Sequence, residues 1–267
     1  MKTQLEELFR KFVPINVRNY LKKNLLFLYY GSRYECPFCH GHFRKFLPYS
    51  TVIPRETTYT IGVGPRENCY CPRCFSKDRE RLIYIYLIKK TNIFNDNLKL
   101  WHCAPEKNLS DKLIASKNID YLSSDLSIET AMKKIDITDI PFNDNCFDVI
   151  MCNHVIQYVI DDKKAMLELF RVLKFGGMAI LQVPICPGFE NTLEDPPLLG
   201  PGSGRVLEIE GDHMRIYGRD YKEKLQQAGF LVEEFKWTSC SEEFGGKDNK
   251  FALLKDETLY VGRKPVQ

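Results

Sequence analysis

From Leu98 onward, short apolar runs alternate with stretches of helical period. The runs Leu98–Cys103, Ile119–Ser123, Asp148–Cys152 and Met178–Val183 have the length of buried strands. Between them Asn108–Ser116, Lys163–Leu173 and Asp220–Ala228 carry the spacing that lines up one face of a helix. Phe230–Lys236 and Glu257–Arg263 add two further strands. Alternation at this spacing predicts an α/β fold with a doubly wound, largely parallel sheet. In "RVLKFGGMAILQVP" a helix ends at Lys174, and Gly176-Gly177 predicts a turn into the next strand.

Upstream the pattern changes. Ser76–Lys90 reads as a helix capped by Ser76, with Leu82, Ile85 and Tyr86 on successive turns. Residues 33–76 hold no long periodic run and are rich in cysteine, proline and arginine, the look of a small stapled module. Residues 1–30 place Leu5, Leu8, Phe9, Phe12 and Val13 at helical spacing before Pro14, with Arg10, Lys11, Arg18, Lys22 and Lys23 as a basic face. Such a helix either packs its apolar side on the neighbouring domain or makes peripheral contact with an anionic membrane or RNA. The expected divisions are 1–32, a basic amphipathic segment; 33–76, a metal-binding module; and 77–267, the α/β domain.

Composition narrows the classes. The chain has 267 residues with a net charge of +3, so no overall basic excess demands a nucleic-acid partner. No apolar run reaches the 18 or so residues of a membrane span. The N-terminus lacks the layout of a signal peptide, and the expected location is the cytoplasm.

Five of the ten cysteines fall between Cys36 and Cys74, four of them in the pairs "CPFC" and "CPRC". Each pair turns two thiolates toward one ion, and Cys36, Cys39, Cys71 and Cys74 together make a closed tetrahedral shell for structural zinc. His40, His42 and Cys69 are substitute ligands that a complete four-cysteine shell does not need.

Ligands of an open α/β sheet bind beyond the carboxyl ends of the strands. "HCAPE" (102–106) ends the first strand without any glycine. Asp125 ends the second, about twenty residues later, where a carboxylate accepts ribose hydroxyls. Asp136 and Ile137 precede the third, which runs into Asn153-His154.

"IDITDIPFNDNCFDVIMCNHVIQYVIDDKKAMLELFRVLKFGGMAILQVP" resembles the core of a class I S-adenosylmethionine-dependent methyltransferase of the broad type 11 group. The N-terminal cysteine module, "HCAPE" and "GDHMRIYGRDY" are similar to a bacterial subset in which H-x-A-P-E replaces the glycine-rich loop. The resemblance covers roughly residues 98–263. It implies a Rossmann-like seven-stranded sheet with helices on both faces, beside a small zinc-ribbon-like module, and S-adenosylmethionine as cofactor. It also implies that Cys103, Ala104, Pro105 and Glu106 line the methionine and ribose side. Asp125 would hold the ribose hydroxyls, Asp136 and Ile137 the adenine, and Asn153 and His154 the floor beneath the sulfonium. Three positions depart from the family pattern: the glycine loop is missing, Phe175 stands for a proline, and Gln157-Tyr158 stands for Glu-His.

The loop after Val183 carries the acceptor-side candidates Glu194, Asp195, Arg215 and Tyr217, with His213 the candidate base because histidine titrates near neutrality. The acceptor is expected to be an oxygen or nitrogen of a small molecule, a glycan precursor or an RNA base. Arg73, Lys77, Arg79 and Arg81 suit phosphate contacts or a solvated helix face equally. A competing reading is a non-catalytic protein whose zinc module binds RNA or a protein partner.

Overall fold

The computed structural model describes residues 26–49, 60–127, 129–194 and 214–266. His213, Asp195 and residues 1–25 of the expected N-terminal segment lie outside these. The cysteine-rich part forms two small antiparallel pairs: β1 (Tyr30–Glu35) with β2 (His42–Phe43), and β3 (Leu47–Tyr49) with β4 (Arg66–Tyr70). Helix α1 (Asp78–Lys90) follows; its first turn carries Asp78 and Glu80 and its last Lys89 and Lys90, which complements the helix dipole at both ends.

The alternating part unfolds as the periodicity dictates: β5 (Leu98–Cys103), α2 (Lys107–Ile114), β6 (Ile119–Asp125), β7 (Lys133–Lys134), β8 (Phe147–Cys152), α3 (Asp162–Val172) and β9 (Leu173–Ile180). The short pair β10 (Leu193–Glu194) and β11 (Arg215–Ile216) precedes α4 (Tyr221–Gln227), β12 (Leu231–Phe235) and β13 (Leu259–Arg263). Seven strands join in the order β12-β13-β9-β8-β5-β6-β7, all parallel except β13, which runs antiparallel to both neighbours. This is the Rossmann-like seven-stranded sheet the resemblance implied.

Successive residues of each central strand feed opposite faces. Leu100, Val149, Met151, Met178, Ile180 and Val261 pack with α1, α2 and the cysteine module. Trp101, Ile150, Cys152, Ala179, Leu181 and Tyr260 pack with α3 and α4. Strands buried on both sides need apolar residues at every position, which is why they read as continuous runs. The Gly176-Gly177 turn expected before a strand at Met178 is instead a kink inside β9, with Gly176 at φ 75° and an irregular register against β8. A Cβ on Gly177 would lie 2.8 Å from the Lys174 carbonyl oxygen, so only glycine fits there. No helix among the described residues is long and apolar enough to cross a membrane.

Candidate functional site

The two C-P-x-C segments fold as copies of one turn. The Cys36 N–H donates to Gly41 O (3.0 Å) and the His40 N–H to Cys36 O (2.8 Å). At the second, the Cys71 N–H donates to Ser76 O (3.0 Å) and the Phe75 N–H to Cys71 O (2.9 Å). The residue after each pair, His40 or Phe75, takes a left-handed conformation at φ 53° and 59°. The four sulfurs lie within 4.8 Å of one another, with Cys36–Cys74 at 3.5 Å and Cys39–Cys71 at 3.7 Å. Four thiolates about 2.3 Å from a tetrahedral zinc would stand roughly 3.8 Å apart, so this donor set fits that ion. Cys69 is not part of the cluster; its thiol contacts Asp78 at 3.4 Å.

At the carboxyl end of the sheet the chain leaves β5 for β6 on one side and returns through β8 on the other. Ligands of doubly wound sheets bind at such a reversal. A cavity of about 630 Å³ opens there, lined by Cys103, Ala104, Asp125, Asp136, Ile137 and His154, among others. Two strand ends bend sharply to make room: Ala104 at φ 46° and His154 at φ 54°. Each bend is pinned by neighbouring backbone, the Ala104 N–H donating to Ser124 O of β6 and the His154 N–H to Gln182 O just past β9, both at 2.7 Å. Asp125 is the last residue of β6 and accepts from the Ser127 N–H (3.2 Å) and the Thr130 hydroxyl (3.3 Å). Asp136 accepts the backbone N–H and hydroxyl of Thr138, both at 2.8 Å, which turns the chain so that Ile137 is buried beside the cavity. Burial, followed by a hydrogen bond with Cys152, pushes the Cys103 thiol well above its ordinary value.

Pro105, Glu106 and Asn153 do not line this cavity. Glu106 instead bonds His102 Nε2 at 2.7 Å, while His102 Nδ1 meets the Tyr121 hydroxyl at 3.1 Å. In "HCAPE" the first and last residues therefore hold each other and shape the turn. Desolvation opposes the ionised form of Glu106, but the His102 hydrogen bond overcomes it and holds its carboxyl below the usual range.

The acceptor-side candidates behave differently from expectation. Arg215 is buried and spends its guanidinium on the carbonyls of Ile156, Val159 and Ile160. Tyr217 is buried and donates to Asp162 at 2.9 Å. Both hold the 156–162 segment that walls the cavity rather than facing an acceptor. Glu194 is exposed, 3.6 Å from Arg215 Nε. Arg81, placed among possible phosphate contacts, is fully buried and donates to the carbonyls of Asn68, Cys69, Ser76, Phe251 and Ala252. A guanidinium with five carbonyl acceptors has nothing left for phosphate. Arg73 remains exposed and donates to Cys39 O at 3.3 Å.

The structure also brings together Gln182 and Glu257, 75 residues apart, with the amide of Gln182 donating to the carboxylate. Burial pushes Glu257 up to about 7. Nothing local in the sequence marked either residue, because the pairing depends on β13 inserting beside β9.

Residues 108–181 match a family model described as a methyltransferase domain. No curated protein matches the chain. Among solved structures, the [4+2]-cyclase SpnF is similar at 16 % identity, over 71 % of this chain and 83 % of its own, with a TM-score of 0.47. The YcgJ protein of Bacillus subtilis is similar at 14 % identity, over 70 % of this chain and 100 % of its own, with a TM-score of 0.43. A TehB-like SAM-dependent methyltransferase of Corynebacterium glutamicum is similar at 14 % identity, over 67 % and 86 %, with a TM-score of 0.39. The matched segment contains Asp125, Asp136, Ile137, Asn153 and His154, so the part of the chain that is similar to a methyltransferase domain is the part whose motifs carry the resemblance.

Proposed function

We propose that this protein is a cytoplasmic S-adenosylmethionine-dependent methyltransferase acting on an oxygen or nitrogen acceptor, with a structural zinc ion in its cysteine module. The observation that carries this reading is the cavity of about 630 Å³ at the strand-order reversal, with Asp125 and Asp136-Ile137 on its wall. That size is typical of small-ligand sites. Asp125 is the acceptor for paired ribose hydroxyls, and the buried Ile137 beside the Asp136 turn offers an apolar edge to adenine. Ala104 and His154 bring backbone to the cavity where a glycine loop would otherwise do so. When bound, the cofactor supplies an electrophilic methyl group on sulfur. Cys103, kept as a thiol by burial, lines that wall without competing for the methyl group. The four cysteines leave no open position, so the ion would hold the module together rather than take part in chemistry.

Calorimetric titration with S-adenosylmethionine tests the assignment. Wild type should bind, and Asp125→Ala should weaken binding at least about 100-fold, the worth of two hydrogen bonds to a charged group. Absence of binding at millimolar cofactor would remove the enzyme reading and leave the non-catalytic one.

A further inference from the structure

Strand parity places a row of polar side chains on the face of the sheet that carries α1. His102 of β5 stands beside Met151, Met151 beside Ile180, and Ile180 beside Val261. Met151, Ile180, Leu259 and Val261 all belong to the core on that face. Two residues beyond Met151 and Ile180, and two before Leu259 on the antiparallel β13, the same alternation delivers Asn153, Gln182 and Glu257. These are 3 %, 0 % and 3 % exposed, and Gln182 reaches Glu257 by a hydrogen bond.

The row is buried but unsatisfied. Both side-chain atoms of Asn153, Oε1 of Gln182, Oε2 of Glu257, Oε1 of Glu106 and Nε of Arg79 have no hydrogen-bond partner among the described residues. Buried polar groups are normally paired, and a cluster of exceptions in one place marks a point where the described residues leave polar atoms without the partner such atoms need. Acceptor atoms predominate, so the missing partner is rich in O–H or N–H donors.

The row also adjoins the cofactor cavity. A Cβ on Gly62 would lie 3.3 Å from Glu257 Oε1 and 3.3 Å from Cε1 of His154, which walls that cavity. Gly62, at φ 88°, lets the backbone pass closely between the two, where a side chain would crowd both.

We infer that this row is the acceptor subsite of the methyltransferase proposed above, that it takes a small polyhydroxylated molecule, and that Glu257 receives the proton of the methylated hydroxyl. The inference rests on that reading of the cofactor cavity. As the acceptor oxygen forms its bond to the methyl carbon, the methyl–sulfur bond breaks, its electron pair stays on sulfur, and the hydroxyl proton passes to the Glu257 carboxylate. The groups acting on Glu257 suit that task. Burial raises it, Asp78 raises it further, and Arg79, Arg66 and the Gln182 amide pull it back, leaving both protonation states populated near neutrality.

The test uses the full chain saturated with S-adenosylhomocysteine, which cannot react. myo-Inositol and methyl α-D-glucopyranoside are titrated by calorimetry to 50 mM. At least one should bind wild type, and Asn153→Ala and Gln182→Ala should each weaken it at least tenfold while the nucleoside affinity, the control for an intact fold, stays within twofold. With labelled S-adenosylmethionine, Glu257→Gln should bind the same probe within a few-fold but lose at least 100-fold in kcat and the rise of the pH profile near 7. Failure of both probes to bind the nucleoside-loaded protein would overturn this inference alone, as would wild-type turnover by Glu257→Gln or transfer confined to RNA fragments. Failure of the nucleoside itself to bind would overturn the proposed function with it.

Discussion

Ala104 holds a left-handed backbone that costs a non-glycine residue about 1 kcal/mol or more, and it does so on the wall of the cavity. Asparagine tolerates that conformation well, alanine poorly, so a short turn motif without glycine gave no local hint of it. Glu257 is a second residue whose cost buys something other than stability. Its folded carboxyl titrates near 7 against an ordinary 4.5, so the folded protein keeps a proton that the unfolded chain has released. Stability is therefore undiminished by Glu257 below about pH 4.5 and declines as pH rises toward 7. The difference, at 1.36 kcal/mol per unit, amounts to about 3 kcal/mol. Urea denaturation of wild type and Glu257→Gln at pH 5 and pH 8 should show wild type losing about 2–3 kcal/mol relative to the variant. Parallel stabilities at the two pH values would mean that the carboxyl is not held in this environment.

At the scale of elements, period was a good guide where strands and helices are long. The strand expected at Leu98–Cys103 has those bounds, and the helices at 108–116, 163–173 and 220–228 differ from the observed ones by a residue or two at most ends. Asp125 and Asp136 were legible because each follows its strand or turn directly in sequence. The module's strands were not, since pieces of two to six residues carry too little pattern. Helix α1 shows a deeper limit. A cation on a helix reads as surface, yet Arg81 is buried over the Phe46 ring, 4.6 Å from its centroid. What makes it buried is a set of five carbonyls drawn from β4, the second cysteine turn and residues 251–252, which no local pattern reveals. Arg81→Met keeps the length but strands those carbonyls, and should cost about 3–5 kcal/mol in chemical denaturation. A loss under about 1 kcal/mol would show that water replaces the guanidinium freely.

For the whole molecule, the cysteine module shares its core with one face of the sheet. Tyr34, Cys36, Phe38, Phe43, Phe46 and Cys71 pack in one cluster with α1, with Met151, Ile180 and Val261 of the sheet, and with Trp237 and Phe244. Backbone bonds reinforce the join, from the Glu35 N–H to Lys250 O (2.7 Å) and from the Ile61 N–H to Ile185 O (2.8 Å). If zinc closes the cysteine shell, its binding energy is spent on this shared core and not on the module alone. The two tryptophans make that testable, because Trp237 sits in the shared cluster and Trp101 in the core on the other face. Metal analysis should find one equivalent of zinc, lost in Cys36→Ser. A strong chelator should then lower the thermal midpoint seen by Trp237 in Trp101→Phe and by Trp101 in Trp237→Phe together, by similar amounts. A Trp101 transition that ignores the chelator while the Trp237 transition moves would confine the metal's effect to one face. The module would then be an appendage to the sheet, and the shared cluster would not unfold as a unit.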